Sequence, residues 1–355
     1  MCDFSRYGGP SADWLAIAAT LPTPQANQSV SDLKKTVNAA REAAATKAVE
    51  ALGLGFRIAT HDYSIPLRDG TSTIEARTYR PSHLEPSQPL PVYIHFHGGG
   101  FLFGSLGSED ATCASIAVNN EVVVLNVNYR HTPEHAYPAA WDDAHDAFEW
   151  LHDNIELVGG DPEKVILGGI SAGAQLVASL ILEKHLGKVA KGRPAIAGQV
   201  LMIPLLVHMD CYQPQLDRLT NPGVSSYEEN KNAPVLSAAT VKFFGDLLKI
   251  ENPDVNDTKL NPGNATPEQV KGLPPTVFGI AGLDPLRDEG LLYGKLLAEA
   301  GVATDVSVFQ GVPHAFRQFG DKLAASKRWD EVVENGIRWA LSKPAPSGKF
   351  TAKAL

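Results

Sequence analysis

An apolar run from Val165 to Leu167 stops on Gly168, and Gly169-Ile170-Ser171-Ala172-Gly173 follows, leading into Ala174 to Leu182, residues that suit a helix. A serine on a sharp strand-to-helix turn adopts a strained backbone, and the residues two before and two after it must lack bulk. The strain lifts the hydroxyl clear of the sheet, where a base and a carbonyl carbon can meet it. The amide of Ala172, at the start of the helix, points toward negative charge that forms there. A serine hydroxyl is a poor nucleophile without a base, and His314, in Gly311-Val312-Pro313-His314-Ala315-Phe316, is the candidate. Asp284, in Gly282-Leu283-Asp284-Pro285, is the candidate to hold the other ring nitrogen and stabilise the imidazolium. Asp288 and Glu289 are near in sequence, but they read as acids suited to the N-terminus of the helix after Pro285. The run His97-Gly98-Gly99-Gly100 supplies amides free of side chains, which together with Ala172 would form an oxyanion hole.

Each of these groups stands just past the end of an apolar strand pattern, at 91–96, 164–169, 276–281 and 304–309. The chain order Ser…Asp…His is that of α/β-hydrolases and not of the chymotrypsin or subtilisin arrangements. Strand and helix patterns alternate from residue 91: helix 109–119, strand 122–127, helix 139–154, helix 172–186 and strand 196–203. That rhythm predicts an α/β fold, a mostly parallel sheet with helices on both faces. Residues 61–68 and 73–80 predict an opening hairpin around Arg68-Asp69-Gly70. Two N-terminal helices are expected, separated by Pro22 and Pro24, the second ended by Gly53-Leu54-Gly55. A short helix near 237–250 carries Phe243 and Phe244, and a last helix covers 321–342.

These motifs also carry a resemblance. His97-Gly98-Gly99-Gly100, Tyr129-Arg130…Pro133-Glu134…Tyr137-Pro138-Ala139, Asp161-Pro162, Gly169-x-Ser171-Ala172-Gly173, Asp284-Pro285-Leu286-Arg287-Asp288-Glu289 and His314-Ala315-Phe316 resemble the hormone-sensitive-lipase-like esterases over residues 60–342. Two departures stand out: Ile170 and Ala174 replace the family's usual residues around the serine, and His131-Thr132 interrupts the segment after Arg130. Ile170 makes the wall beside the nucleophile apolar. The resemblance implies that Gly99 and Gly100 are the loop's donors while Gly98 shapes the turn. It also implies a helical lid built from residues 1–55 and from an insertion at 205–272, after the sixth core strand. The core then comprises 56–204 and 273–342, with 343–355 a disordered tail.

The implied activity is hydrolysis of carboxylic esters through an acyl-enzyme, by Ser171, His314 and Asp284. Phe101, Phe103, Ile170, Leu205, Leu206 and Phe316 are expected to line an apolar pocket for short to medium acyl groups or small acylated molecules. The same triad would also serve a lactonase, transacylase or dehydratase. A non-catalytic small-molecule receptor on this fold is disfavoured because all three triad members are present. A net charge of −9 over 355 residues argues against nucleic acid and an anionic membrane surface as partners. Three cysteines, Cys2, Cys113 and Cys211, give no disulfide framework, and with no entry signal at Met1 the expected location is the cytoplasm. Cys2 is expected in a loose terminus. His95 and His97 have no partners that suggest a metal site, and no cofactor motif occurs. The oligomeric state stays open, a homodimer among the options.

Overall fold

The computed structural model describes residues 1–21 and 28–355, so the expected break at Pro22 and Pro24 lies outside the described residues. The strands are β1 (Ile58–Pro66), β2 (Thr73–Pro81), β3 (Leu90–Phe96), β4 (Val123–Asn128), β5 (Gly160–Ile170), β6 (Gly198–Met202), β7 (Thr276–Leu283), β8 (Thr304–Pro313) and β9 (Lys353–Ala354). They form one sheet in the order β1-β2-β4-β3-β5-β6-β7-β8-β9. β1 and β2 pair antiparallel, as do β2 and β4, and every later pairing is parallel. The longer helices are α1 (Ala12–Ala18), α2 (Val30–Ala51), α3 (Asp110–Asn120), α4 (Ala139–Asp153) and α5 (Ala172–His185). After β6 come α6 (Gln213–Leu216), α7 (Ser226–Glu229), α8 (Ala238–Leu247) and α9 (Pro267–Val270), then α10 (Arg287–Glu299) and α11 (Ala324–Leu341).

Alternation along the central strands divides the core into two layers. Val92, Ile94 and Phe96 of β3 join Val165 and Leu167 of β5 on one face, packed by Trp141 and Phe148 of α4 and Leu291 of α10. Tyr93 and Ile166 point the other way, toward Cys113 and Ala117 of α3 and Trp329, Val333 and Ile337 of α11. Fully burying such side chains contributes about 1.5–3 kcal/mol each, so the strand ends that carry functional groups are held firmly from both sides.

Both termini depart from expectation. The Cys2 amide donates to the Arg218 carbonyl at 2.8 Å, and Phe4 and Tyr7 are buried, so the first residues are tied down. The tail expected to be disordered is ordered to its end. The Leu355 amide donates to the Val308 carbonyl at 2.8 Å, and the Gln310 amide donates to the Leu355 carbonyl at 3.1 Å. Its composition looks like a linker, but β8 would otherwise be an open sheet edge, and the tail occupies that edge. Phe350 packs edge-to-face with Phe4 at 6.3 Å, which joins the two termini.

Candidate active site

β5 ends at Ile170 and α5 begins at Ala172, leaving Ser171 between them with φ 54° and ψ −116°. This is a costly conformation for a residue with a side chain, and the surroundings hold it there. The Ser171 amide donates to the Met202 carbonyl at 2.9 Å, and its carbonyl accepts from the Ala174 amide at 3.0 Å. A Cβ on Gly169 would lie 2.3 Å from the Gly173 carbonyl, and one on Gly173 would lie 2.1 Å from the Phe96 carbonyl oxygen. The two glycines are therefore dictated by crowding around the turn.

His314 follows β8 and Asp284 follows β7, neighbouring strands one step along the sheet. Asp284 Oδ2 lies 2.6 Å from His314 Nδ1, and Ser171 Oγ lies 2.9 Å from His314 Nε2. A carboxylate only accepts, so Nδ1 carries the proton, and the lone pair of Nε2 faces the serine hydroxyl, which donates to it. The second oxygen of Asp284 accepts from the Leu286 amide at 2.9 Å, which fixes the carboxylate plane. Asp288 and Glu289 do sit in the first turn of α10, but neither is a solvated helix-end acid. Asp288 pairs with the buried Arg287 at 2.8 Å and accepts from the Ser226 amide at 2.7 Å. Glu289 accepts from the amides of Leu206 and Val207, both at 2.8 Å. Burial pushes the Glu289 carboxyl well above its ordinary range.

The glycine loop after β3 doubles back beside this serine. Gly99 (φ 139°) and Gly100 (φ 60°) occupy backbone conformations that other residues rarely adopt. A Cβ on Gly98 would meet the Ile170 carbonyl oxygen at 2.9 Å, so the loop lies directly on the nucleophile turn. No acceptor among the described residues takes the amides of Gly99, Gly100 or Ala172. The loop is buttressed by the segment after β4. Tyr129 Oη donates to the His97 carbonyl at 2.8 Å, the His131 and His97 Nε2 atoms are 3.3 Å apart, and the Thr132 amide donates to the Phe101 carbonyl at 2.8 Å. Burial lowers the His97 pKa to about 4, which keeps its ring neutral. His95 instead faces Glu109, Nε2 to Oε2 at 3.2 Å.

Not all of the expected pocket residues gather at the serine. Phe101 is buried and stacked on Trp141 with ring centroids 4.7 Å apart. Phe316 is buried between Phe309 and Trp329, and Leu206 packs beside Gly263. These three are buried in the packed interior, Phe101 and Leu206 in one core layer and Phe316 in the other. Leu205 stays near, its amide 3.4 Å from the Ser171 carbonyl. Phe103 meets Phe244 of α8 edge-to-face at 5.9 Å. The ring of Phe244 is so close to Gly100 that a Cβ there would lie 2.4 Å from it. Ile170, besides touching Gly98, helps line a cavity of about 20 Å³ with Tyr93, His95, Met202 and Trp329. A space that small has room for about one water and no acyl chain.

Sequence alone places Phe244 on a helix of the expected lid but does not bring it onto the glycine loop, and it does not mark a row of α2 side chains. Arg41 donates to the Gly98 carbonyl at 3.0 Å and to Glu109 at 2.6 Å, and Asn38 exchanges two hydrogen bonds with the Gly104 backbone, at 2.9 and 3.1 Å. The spacing 34, 38, 41, 42 is a helix face, but nothing in an Ala-rich helix marks polar residues as reaching a loop 57 residues away. Ser11 reaches the other side of the site, its amide donating to the Gly311 carbonyl at 3.0 Å. Among the described residues no group of three or more His, Cys, Asp or Glu is placed to hold a metal ion, and no helix is long and apolar enough to cross a membrane.

Residues 93–318 match the model of a family described as alpha/beta hydrolase fold. Esterase LipI of Mycobacterium tuberculosis is 35% identical over 268 residues, 74% of this chain and 76% of that protein. The ethyl acetate hydrolase of Pseudomonas putida is 31% identical over 261 residues, 73% of this chain and 76% of its own. The solved structure of vibralactone cyclase superposes with a TM-score of 0.83 at 26% identity, covering 97% of this chain and 98% of the other.

Proposed function

Because the chain belongs to the hormone-sensitive-lipase-like group of the α/β-hydrolase fold and is a carboxylic-ester hydrolase of the serine carboxylesterase type, we propose that Ser171, His314 and Asp284 are its catalytic triad. The observation that carries this reading is the continuous chain of hydrogen bonds from Ser171 Oγ through His314 to Asp284, at 2.9 and 2.6 Å. Ser171 Oγ attacks the ester carbonyl while His314 Nε2 takes its proton. The oxygen that becomes negative accepts from the amides of Gly99, Gly100 and Ala172, with Gly98 shaping the turn. A single such donor contributes on the order of 3 kcal/mol to the transition state. His314 then protonates the departing alcohol, and a water deprotonated by His314 releases the acid.

The acyl group that suits this site is short to medium. Phe244 and Phe103 close over the glycine loop, and the cavity behind Ile170 is far too small to extend the pocket. Residues 1–55 and 205–272 act as the cover in this reading, since Ser11, Arg41 and Phe244 all come from them. A panel of p-nitrophenyl esters tests it. Activity should peak between butyrate and octanoate, and Ser171→Ala should lower kcat on the order of 10⁴-fold or more. Activity that climbs steadily out to palmitate would contradict the acyl range, and an active Ser171→Ala would contradict the triad.

A second reading, acyl transfer to a hydroxyl of the substrate itself with closure of a lactone, is favoured by the near full-length likeness to vibralactone cyclase. Product analysis separates the two: ring closure leaves no free acid.

A further inference from the structure

We propose that Arg41, on the N-terminal helix α2, is a positioning residue for the oxyanion hole, aiming the Gly99 amide by holding the carbonyl of the same peptide group. This deepens the triad reading and rests on it. A peptide unit is planar and trans, so the Gly98 C=O and the Gly99 N–H point in opposite directions from one rigid plate. Whatever holds the oxygen on one side sets where the N–H points on the other. Arg41 donates to that oxygen at 3.0 Å, and His97 Nδ1 lies 3.2 Å from it. The next plate is fixed in the same way from within the loop, because the Gly99 carbonyl accepts from the amides of Leu102 at 3.1 Å and Phe103 at 2.9 Å. The Ser171 carbonyl, on the plate that carries the Ala172 N–H, accepts from Ala174 and Gln175 at 3.0 and 3.2 Å. Among the described residues, only the plate behind Gly99, of these three, is held by a side chain from another element, and Gly99, with φ 139°, has little steric preference of its own to hold it.

The guanidinium is itself well anchored. Its second nitrogen donates to Glu109 at 2.6 Å, and Glu109 is buried, with its other oxygen 3.2 Å from His95 Nε2 on β3. Arg41 thus ties the loop to the strand from which it emerges. A planar fork suits this task, since two separate nitrogens in one rigid plane hold the carbonyl and the carboxylate at fixed positions, whereas an ammonium is a single point on a flexible stem. Around it, Lys34 donates to the Thr132 carbonyl at 3.1 Å and to Glu134 at 2.7 Å, and Asn38 pairs with Gly104. These contacts dock the helix without touching Gly98.

The test compares wild type, Arg41→Lys, Arg41→Met combined with Glu109→Gln, and Lys34→Ala. The double variant removes both charges, so no buried carboxylate is left unpaired. Exhaustive labelling with a fluorophosphonate counts competent sites, and kcat is expressed per labelled site. The double variant should lose about 10- to 100-fold in kcat with KM nearly unchanged, less than the roughly 10²–10³ lost when a donor is removed outright. Affinity for a trifluoromethyl ketone, which forms an oxyanion on the serine, should fall by a similar factor. Arg41→Lys should lie between, and Lys34→Ala should match wild type. Per-site kcat and ketone affinity at wild-type values in the double variant would overturn the proposal, as would an equal loss in Lys34→Ala. If the double variant does not fold, a wild-type kcat in Arg41→Lys overturns it alone. Failure to label the wild type would sink the triad reading, and this one with it.

Discussion

Replacing Gly173 with alanine tests how closely the nucleophile turn and the glycine loop are fitted. On helix propensity alone the change should help, because alanine is favoured over glycine by about 1 kcal/mol inside a helix. The packing opposes it. The added Cβ would lie 2.1 Å from the Phe96 carbonyl oxygen and 2.6 Å from that of His97, both backbone atoms at the end of β3. Real contacts of this kind stay beyond 3.0 Å, so α5 and the loop must separate by about 1 Å. Overpacking of that size costs about 1–3 kcal/mol, which outweighs the helical gain. The same shift carries the Gly99 and Gly100 amides away from the Ala172 amide, and a 1 Å misplacement of catalytic groups costs on the order of 10²-fold. We expect Gly173→Ala to melt several degrees lower and to hydrolyse p-nitrophenyl butyrate roughly 100-fold more slowly, with kcat bearing most of the loss. Gly55→Ala is the control, since a Cβ there meets no atom of the described residues within 4 Å. A Gly173→Ala enzyme with wild-type kcat and melting temperature would refute the fit between turn and loop.

Phe244→Ala should move the preferred acyl chain to a longer one, since its ring rests on Gly100; a chain-length profile that does not move would reject Phe244 as part of the cover. His145 is buried with neither ring nitrogen partnered among the described residues, and burial lowers its pKa from 6.5 to about 4. The unfolded chain therefore binds a proton below pH 6.5 that the folded chain refuses until about pH 4, so stability falls as the pH drops through that window. Wild type should lose roughly 2.5 kcal/mol more than His145→Leu between pH 7 and pH 4.5, read by urea unfolding at the two values. A chain ending at residue 342 should be less stable by roughly 2 kcal/mol or more, because Phe350 and the β9 pairing go with the tail. An unchanged melting curve for that chain would show the tail contacts to be idle.

How much of this was legible in the sequence follows from the range of the forces involved. Ser171, Asp284 and His314 each end an apolar strand, and the strand-to-helix turn around Ser171 has a local steric code in Gly169 and Gly173. Such signals are carried by neighbouring residues. The sheet was legible for the same reason: the apolar runs that became β3, β5, β7 and β8 begin or end within a few residues of their patterns. What escaped depends on distant partners. Asp288 and Glu289 look like ordinary helix-start acids until the amides of Ser226, Leu206 and Val207 are folded against them. Phe101 and Phe316 are next to motif residues in sequence, yet they turn into the core because Trp141 and Trp329 wait there. Residues 353–354 form a strand only because β8 presents an edge, and no local propensity in Lys353-Ala354 announces that. Arg41 belongs to the same class, a polar residue on a helix whose meaning lies in one carbonyl far along the chain.

The central claim is that Ser171 forms the acyl bond. Wild type and Ser171→Ala treated with a fluorophosphonate, then weighed intact and mapped by peptide mass, test it directly. One adduct per chain is expected, located on Ser171, with ester hydrolysis lost in step with labelling and no adduct in Ser171→Ala. An adduct on another residue, or hydrolysis that survives in Ser171→Ala, would contradict it.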